Sequence, residues 1–171
     1  MTLSHCLFET DFGWMALGSD RVGIRKSTLP TDSLELCKQE ISRWGNLSVL
    51  NTLGFSVLIK RVQSYLSGSN ENFRDISLSL ARPNTFFEKA WTACREVPRG
   101  ETRSYSWLAS QAGSPGAARA AGQAMAKNPV PLLIPCHRII GTTGKLTGFG
   151  KGTDLLDLKS KLLKLEMKRT D

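Results

Sequence analysis

Histidine is scarce in this 171-residue sequence, and its cysteines never stand in close pairs. Only His5 and His137 occur, and Cys6, Cys37, Cys94 and Cys136 are spaced without a single CxxC. A structural zinc site draws closely spaced ligands from each of two elements, so no metal site is expected. A disulfide framework is not expected either, because the chain is long enough to bury a core of its own. The opening MTLSHCLFETDF lacks the basic start and apolar run of a signal peptide. No stretch reaches the roughly 20 apolar residues needed to span a bilayer. These absences lead to the expectation of a cytoplasmic protein (nuclear if eukaryotic) with no membrane partner, in which a cysteine can serve as a working thiol.

The length excludes large barrels and multidomain machines. A hydrophobic share of 40% with 22% charged residues indicates a folded chain rather than a disordered one. The net charge of +8 is unevenly placed. Residues 1–84 carry nine Lys/Arg and eight Asp/Glu, a net +1, whereas residues 85–171 carry fourteen and seven, a net +7. A neutral front and a basic back suit a polyanion partner for the back half, or simply a soluble basic surface.

Residues 3–28 read as short strands, LSHCLFE, GWMALGS and RVGIRKS, separated by turns. A helix should follow, started by Thr31 or Asp32, with Leu34, Cys37, Ile41 and Trp44 on one face. Cys37 is then a core residue. A second helix is predicted over 55–67 with Phe55, Leu58, Val62 and Tyr65 inward. Ile76, Leu78 and Leu80 alternate as in a half-buried strand. Composition changes at Arg82-Pro83-Asn84. This divides the chain into an N-terminal α/β support domain, 1–83, and a C-terminal domain, 84–171. A capping box at Thr85 and Glu88 opens a helix to about Val97, with Phe87, Ala90, Trp91 and Cys94 on its inner face.

Ser104–Ala112 reads as a short helix closed by Gly113, with Ser114 as N-cap and Pro115 as first residue of a second helix to Lys127. This is a helix–turn–helix pattern. The second helix is mostly Ala and Gly, from which one long cation, Arg119, stands out. Such a helix suits either close approach to a nucleic acid or tight internal packing.

The sharpest signal is Asn128-Pro129-Val130-Pro131-Leu132-Leu133-Ile134-Pro135-Cys136-His137-Arg138. An apolar run, read as a buried strand or extended segment, delivers Cys136 from a rigid base. A thiol attacks as thiolate, so it needs a base or a positive surrounding. His137 is a candidate base, acting through a water, and Arg138 would favour the anion. A Gly-rich loop follows over 141–152. In a last helix from about Thr153, Leu155, Leu158, Leu162 and Leu165 form the apolar stripe, with Glu166 at its margin. Glu166 could orient a histidine or be a solvated charge.

Pro135-Cys136-His137-Arg138-Ile139-Ile140 resembles the active-site signature of the O6-alkylguanine-DNA alkyltransferases, also called methylated-DNA–protein-cysteine methyltransferases. The resemblance extends through SYSWLA, AGSPGAARAAG and NPVPLLIPCHRIIG and takes in the Lys159–Glu166 helix, about half the chain. It implies an α/β (α+β) fold: a small antiparallel N-terminal sheet with helices, ribonuclease-H-like, and a mainly helical C-terminal domain. It implies irreversible, single-turnover transfer of an alkyl group from O6-alkylguanine, and from O4-alkylthymine, in double-stranded DNA to Cys136. It implies no cofactor and no obligate protein partner. By the same resemblance His137 is the base, Glu166 its orienter, Tyr105 the residue that helps swing the base out, Lys159 a support near O6, and Asn128 a hinge. Arg119 is the finger that fills the base stack. Ser104, Ala118, Ala120, Gly122 and Arg138 are further DNA contacts, and Pro135, Ile139, Phe149 and Gly150 line the pocket.

The sequence departs from the pattern in places. Phe149 stands where many relatives have Tyr, and the segment near Thr153-Asp154-Leu155 is longer than usual. Some relatives hold N-terminal zinc, for which His5 and Cys6 have no evident companions. The rival expectations are a lesion-binding protein of the same fold without transfer, a helix–turn–helix regulator, and a cysteine hydrolase.

Overall fold

The computed structural model describes residues 3–45, 47–80, 85–150 and 155–167. The chain falls into two compact units, the first ending at Ser79 and the second beginning at Leu80. The composition change at Arg82-Pro83-Asn84 lies outside the described residues.

In the first unit, β1 (Leu3–Thr10), β2 (Gly13–Ser19) and β3 (Ile24–Ser27) form an antiparallel meander. Thr10 closes the first turn by accepting from the Phe12 amide and donating to the Gly13 carbonyl. A fourth strand, β4 (Leu47–Leu50), pairs parallel with β1, giving the order β3-β2-β1-β4. The sheet is therefore mixed rather than purely antiparallel. Its fourth strand reaches a parallel position because helix α1 (Leu34–Ser42) lies in the connection, which a hairpin turn could not provide. Four residues, LSVL, are too few to show a period of two, so β4 was not predicted.

Leu7 sits opposite Ala16 in the register, and both pack with Cys37 and Ile41 of α1. Cys6 and Leu17, one residue on, point to the other face and are fully buried. Burial pushes the Cys6 thiol up to about 12, which is core behaviour. The N-cap of α1 is Ser33, whose hydroxyl accepts from the Leu36 amide, and not Thr31 or Asp32. Thr31 is committed to the sheet, where its amide and hydroxyl both donate to the Trp14 carbonyl. Helix α2 (Ser56–Leu66) buries Leu58, Val62 and Tyr65 as predicted, and Ile59 and Leu66 in addition. The expected strand at 76–80 is reduced to a bridge at Leu78, held by Ile24 donating to Ser77 and accepting from Ser79.

The second unit contains α3 (Phe86–Arg95), β5 (Arg103–Ser104), α4 (Tyr105–Gln111), α5 (Ala118–Ala126), β6 (Ile139–Ile140) and α6 (Leu156–Met167). Thr85 caps α3 by accepting from the Glu88 amide. Ala90, Trp91 and Cys94 are buried, and the Trp91 indole donates to the Ala124 carbonyl at 2.8 Å, tying α3 to α5. Parallel pairing of β5 with β6 joins the start of α4 to the segment just after Cys136.

The turn between α4 and α5 differs in detail from the prediction. Gly113 does adopt the left-handed conformation, φ 84°. Ser114 donates to Ala109 and Gly113 to Ser110, a Schellman closure. However, α5 starts at Ala118, three residues late. Gly116 also has a positive φ, 87°, which no right-handed helix accommodates, so Ser114 and Pro115 belong to the turn.

Helix α6 brings a larger correction. Its start near Thr153 lies outside the described residues, and its buried face is Lys159, Leu162 and Glu166. Leu155 is exposed, and Leu158 and Leu165 are only half-buried. The inward stripe is thus two charged residues around one leucine. A hydrophobicity pattern cannot locate such a stripe.

No helix among the described residues is long and apolar enough to cross a membrane.

Candidate active site

The apolar run 130–134, expected as a buried strand or extended segment, instead forms a compact turn. Asn128 organises it: its amide donates to the Ile134 carbonyl at 2.8 Å and its oxygen accepts from the Val130 amide at 3.0 Å. The Ile134 amide donates to Val130, and Leu132 takes a left-handed φ of 71° between them. Every residue from Val130 to Ile139 is buried.

Cys136, His137 and Arg138 make one 3-10 turn. The thiol lies in the wall of a cleft of about 570 Å³, formed by Tyr105 of α4, Ala118, Arg119 and Gly122 of α5, and the loop 141–150. Among the described residues, Cys136 is the cysteine that reaches this cleft. Cys37 and Cys94 are fully buried core residues, as predicted.

Burial raises the Cys136 thiol above its ordinary range, against a hydrogen bond from Asn128 and the charge of Lys159. Burial thus favours the thiol over its anion, and the nearby cation that favours the anion is Lys159. Arg138 is otherwise engaged. Its Nε and Nη2 grip Glu166, the latter at 2.7 Å, and its Nη1 donates to the Val97 carbonyl at 2.7 Å. Its side chain is only 9% exposed, which contradicts a place on a DNA-facing surface.

Glu166 is fully buried and accepts from His137 Nε2 at 2.9 Å. Its alternative as a solvated charge is thereby overturned. Burial works to raise its carboxyl, but the His137 and Arg138 contacts outweigh it and hold the group well below the usual range. Since a carboxylate only accepts, Nε2 of His137 is the donor. Burial, with Arg138 and Lys159 nearby, holds the His137 ring below its ordinary value despite Glu166.

Lys159 is completely buried. Its ammonium donates to the carbonyls of Ile139 and Gly148 and lies 3.5 Å from the Tyr105 hydroxyl. Desolvation lowers it to about 8. Burial raises the Tyr105 phenol, which also hydrogen-bonds Thr147. Phe149 is buried, with its ring edge-on to His137.

The remaining expected positions divide by location. Gly150 and Phe149 line the cleft, whereas Pro135 and Ile139 are buried without lining it. Ser104 caps α4 through the Trp107 amide and is half-buried. Ala118, Ala120 and Gly122 are half-buried on α5, and Arg119 between them is exposed. Sequence reasoning missed the Arg138–Glu166 clamp and the role of the Val97 carbonyl. The spacing from 138 to 166 carries no local signal, so only the fold could show it.

Comparison with known proteins gives one consistent result. Residues 85–168 match the family model described as 6-O-methylguanine DNA methyltransferase, DNA binding domain. A methylated-DNA–protein-cysteine methyltransferase of Methanosarcina acetivorans is 35% identical over 95% of this chain and 97% of its own. The crystal structure of Mycobacterium tuberculosis O6-methylguanine methyltransferase is similar with a TM-score of 0.77 at 32% identity, covering 99% of this chain and 96% of that one. A structure of the M. tuberculosis protein in complex with DNA is similar with a TM-score of 0.76 at 31% identity, covering 97% and 93%.

Proposed function

The chain belongs to the methylated-DNA–protein-cysteine methyltransferases, which repair O6-methylguanine in DNA by direct reversal, and from that premise we propose that Cys136 is its alkyl acceptor. The observation that carries this is the position of the thiol in the cleft wall, one residue from a histidine held by a buried carboxylate.

The proton leaves Cys136 for His137, through a water, because adjacent side chains meet poorly head-on. With Nε2 committed to Glu166, Nδ1 is the basic nitrogen. The thiolate then attacks the alkyl carbon: an S–C bond forms and the C–O6 bond breaks. Guanine departs as an anion, and Tyr105 and Lys159 are the donors near it. The product thioether has no ready leaving group, so each chain reacts once. The same displacement would serve O4-alkylthymine.

An alkylated base inside a duplex is out of reach of the thiol, and extruding it costs a few kcal/mol. We place α5 in the minor groove, where Ala118, Ala120 and Gly122 allow close approach. Arg119, exposed at its start, would fill the vacated stack and offset part of that cost. The excess of positive charge in residues 85–171 would draw this unit to the phosphate backbone in a salt-dependent way.

Duplex DNA carrying O6-methylguanine labelled in the methyl group tests this reading. The label should move to the wild-type protein and remain on the DNA with Cys136→Ala. Tight binding by the wild type without transfer would instead describe a lesion-binding protein.

A further inference from the structure

We infer that Arg138 is a positioning residue of the transfer reaction: by gripping Glu166 it keeps the neighbouring His137 ring neutral, and so able to receive the Cys136 proton. The inference rests on the reading of Cys136 as acceptor and His137 as its base.

The geometry is a shared carboxylate. Oε1 of Glu166 accepts from His137 Nε2 at 2.9 Å and from Arg138 Nη2 at 2.7 Å. Oε2 accepts from Arg138 Nε at 3.0 Å and from the Gly100 amide at 3.3 Å. The third arm of the guanidinium is fixed on the Val97 carbonyl, so the fork cannot swing away from Glu166 without abandoning a second partner. Arginine and histidine are consecutive on a 3-10 turn, and the carboxylate reaches both from α6.

A buried carboxylate alone beside an imidazole would draw a proton onto the ring and form an ion pair. That ring would be imidazolium at neutral pH and could take no proton from a thiol. Arg138 changes the balance by cancelling the carboxylate charge. A protonated ring would then add a third, uncompensated charge to a buried pair. The other groups facing the ring act in the same direction. Lys159 of α6 is cationic, and Phe149 of the cleft loop offers an aromatic edge and no acceptor. The carboxylate still orients the ring through Nε2 without charging it.

The test combines a ring titration with a rate profile from about pH 5 to 8, the window in which histidine ordinarily titrates. The His137 nitrogens are followed by NMR, with the His5 signal identified by its loss in His5→Gln. Label transfer to Cys136 is timed on the same samples. In the wild type the ring should titrate below the ordinary histidine range, with Nε2 protonated in the neutral form. In Arg138→Gln the ring should titrate about one unit or more higher, and the acid limb of the rate should move with it, a tenfold loss relative to the plateau per unit. Arg138→Lys, which keeps a charge, should return both towards wild type. A purely structural role would lower the rate at every pH and leave both midpoints in place, which overturns the inference. If Arg138→Gln does not fold, the wild-type ring decides: a midpoint at or above the ordinary histidine value overturns the inference, and one below it supports it. Absence of label on wild-type Cys136 would remove the acceptor reading instead, and the ring titration would still report what Arg138 does.

Discussion

Lys159 Nζ lies 2.6 Å from the Ile139 carbonyl oxygen, on the buried face of α6 that the sequence pattern reads as polar. It also binds the Gly148 carbonyl, so one ammonium fastens the segment after Cys136 to the loop that walls the cleft. Lys159→Met keeps the bulk and deletes the donor. The buried Ile139 carbonyl and the half-buried Gly148 carbonyl then lose their donor, at about 1–3 kcal/mol for the first and less for the second. We expect urea denaturation to show a loss of about 3 kcal/mol, and transfer to slow. A variant as stable as wild type would mean that these carbonyls find other partners.

The same lysine predicts a pH dependence. Its folded value of about 8 lies below the ordinary 10.5. Below pH 8 it is charged in both states, so the cost of the buried charge is present in full. Above 10.5 it is neutral in both, and the cost is gone. Wild-type stability should therefore rise between pH 8 and 10.5 relative to Lys159→Met. A constant difference across that window would contradict the burial of a charge there.

Glu166 acts at the acid end. Its carboxyl is held below its ordinary value of 4.5, so its contribution is complete above that pH and is lost as pH falls through the folded value. Glu166→Gln leaves Arg138 buried without its counter-charge, and should cost about 3 kcal/mol or more at neutral pH. Below pH 4.5 its stability should fall less steeply than that of wild type. Parallel acid curves for the two proteins would remove Glu166 as the cause.

Asn128 is the polar lock of the turn that delivers the thiol. Asn128→Ala removes the partners of the Ile134 carbonyl and the Val130 amide, at about 2 kcal/mol or more together. Transfer should fall further than stability does, because Asn128 also hydrogen-bonds the Cys136 thiol. Asn128→Asp keeps the acceptor for Val130 and places an anion against the thiol, so its transfer should be slowest. Equal rates for the two variants would contradict this contact.

Arg119 separates extrusion of the base from chemistry on it. Arg119→Ala should slow transfer from duplex DNA far more than reaction with free O6-benzylguanine, which needs no extrusion. Equal slowing of both would contradict its place in the base stack.

Much of this was legible in the sequence where signals are local. The Thr85 cap, the Gly113 closure of α4 and the stripes of α2 and α3 follow from local spacings and turn chemistry. The 135–140 motif points directly to Cys136 and His137. What escaped prediction is non-local or runs against hydrophobic patterning. The late start of α5 depends on the conformation of Gly116. The Ser33 cap depends on Thr31 being drawn into the sheet by Trp14. The buried stripe of Lys159 and Glu166 reads as a polar face, because its partners lie on the 136–139 segment, in the cleft loop and at Val97. Arg138 looked like a surface cation for the same reason.

The central claim is that Cys136 takes one alkyl group and keeps it. The most direct measurement is the mass of the Cys136 peptide after reaction with excess O6-methylguanine duplex. The account predicts a gain of one CH2 on that peptide, a plateau at one group per chain, and no gain in Cys136→Ala. Alkylation at another residue, or continued release of methyl groups beyond one per chain, would contradict it.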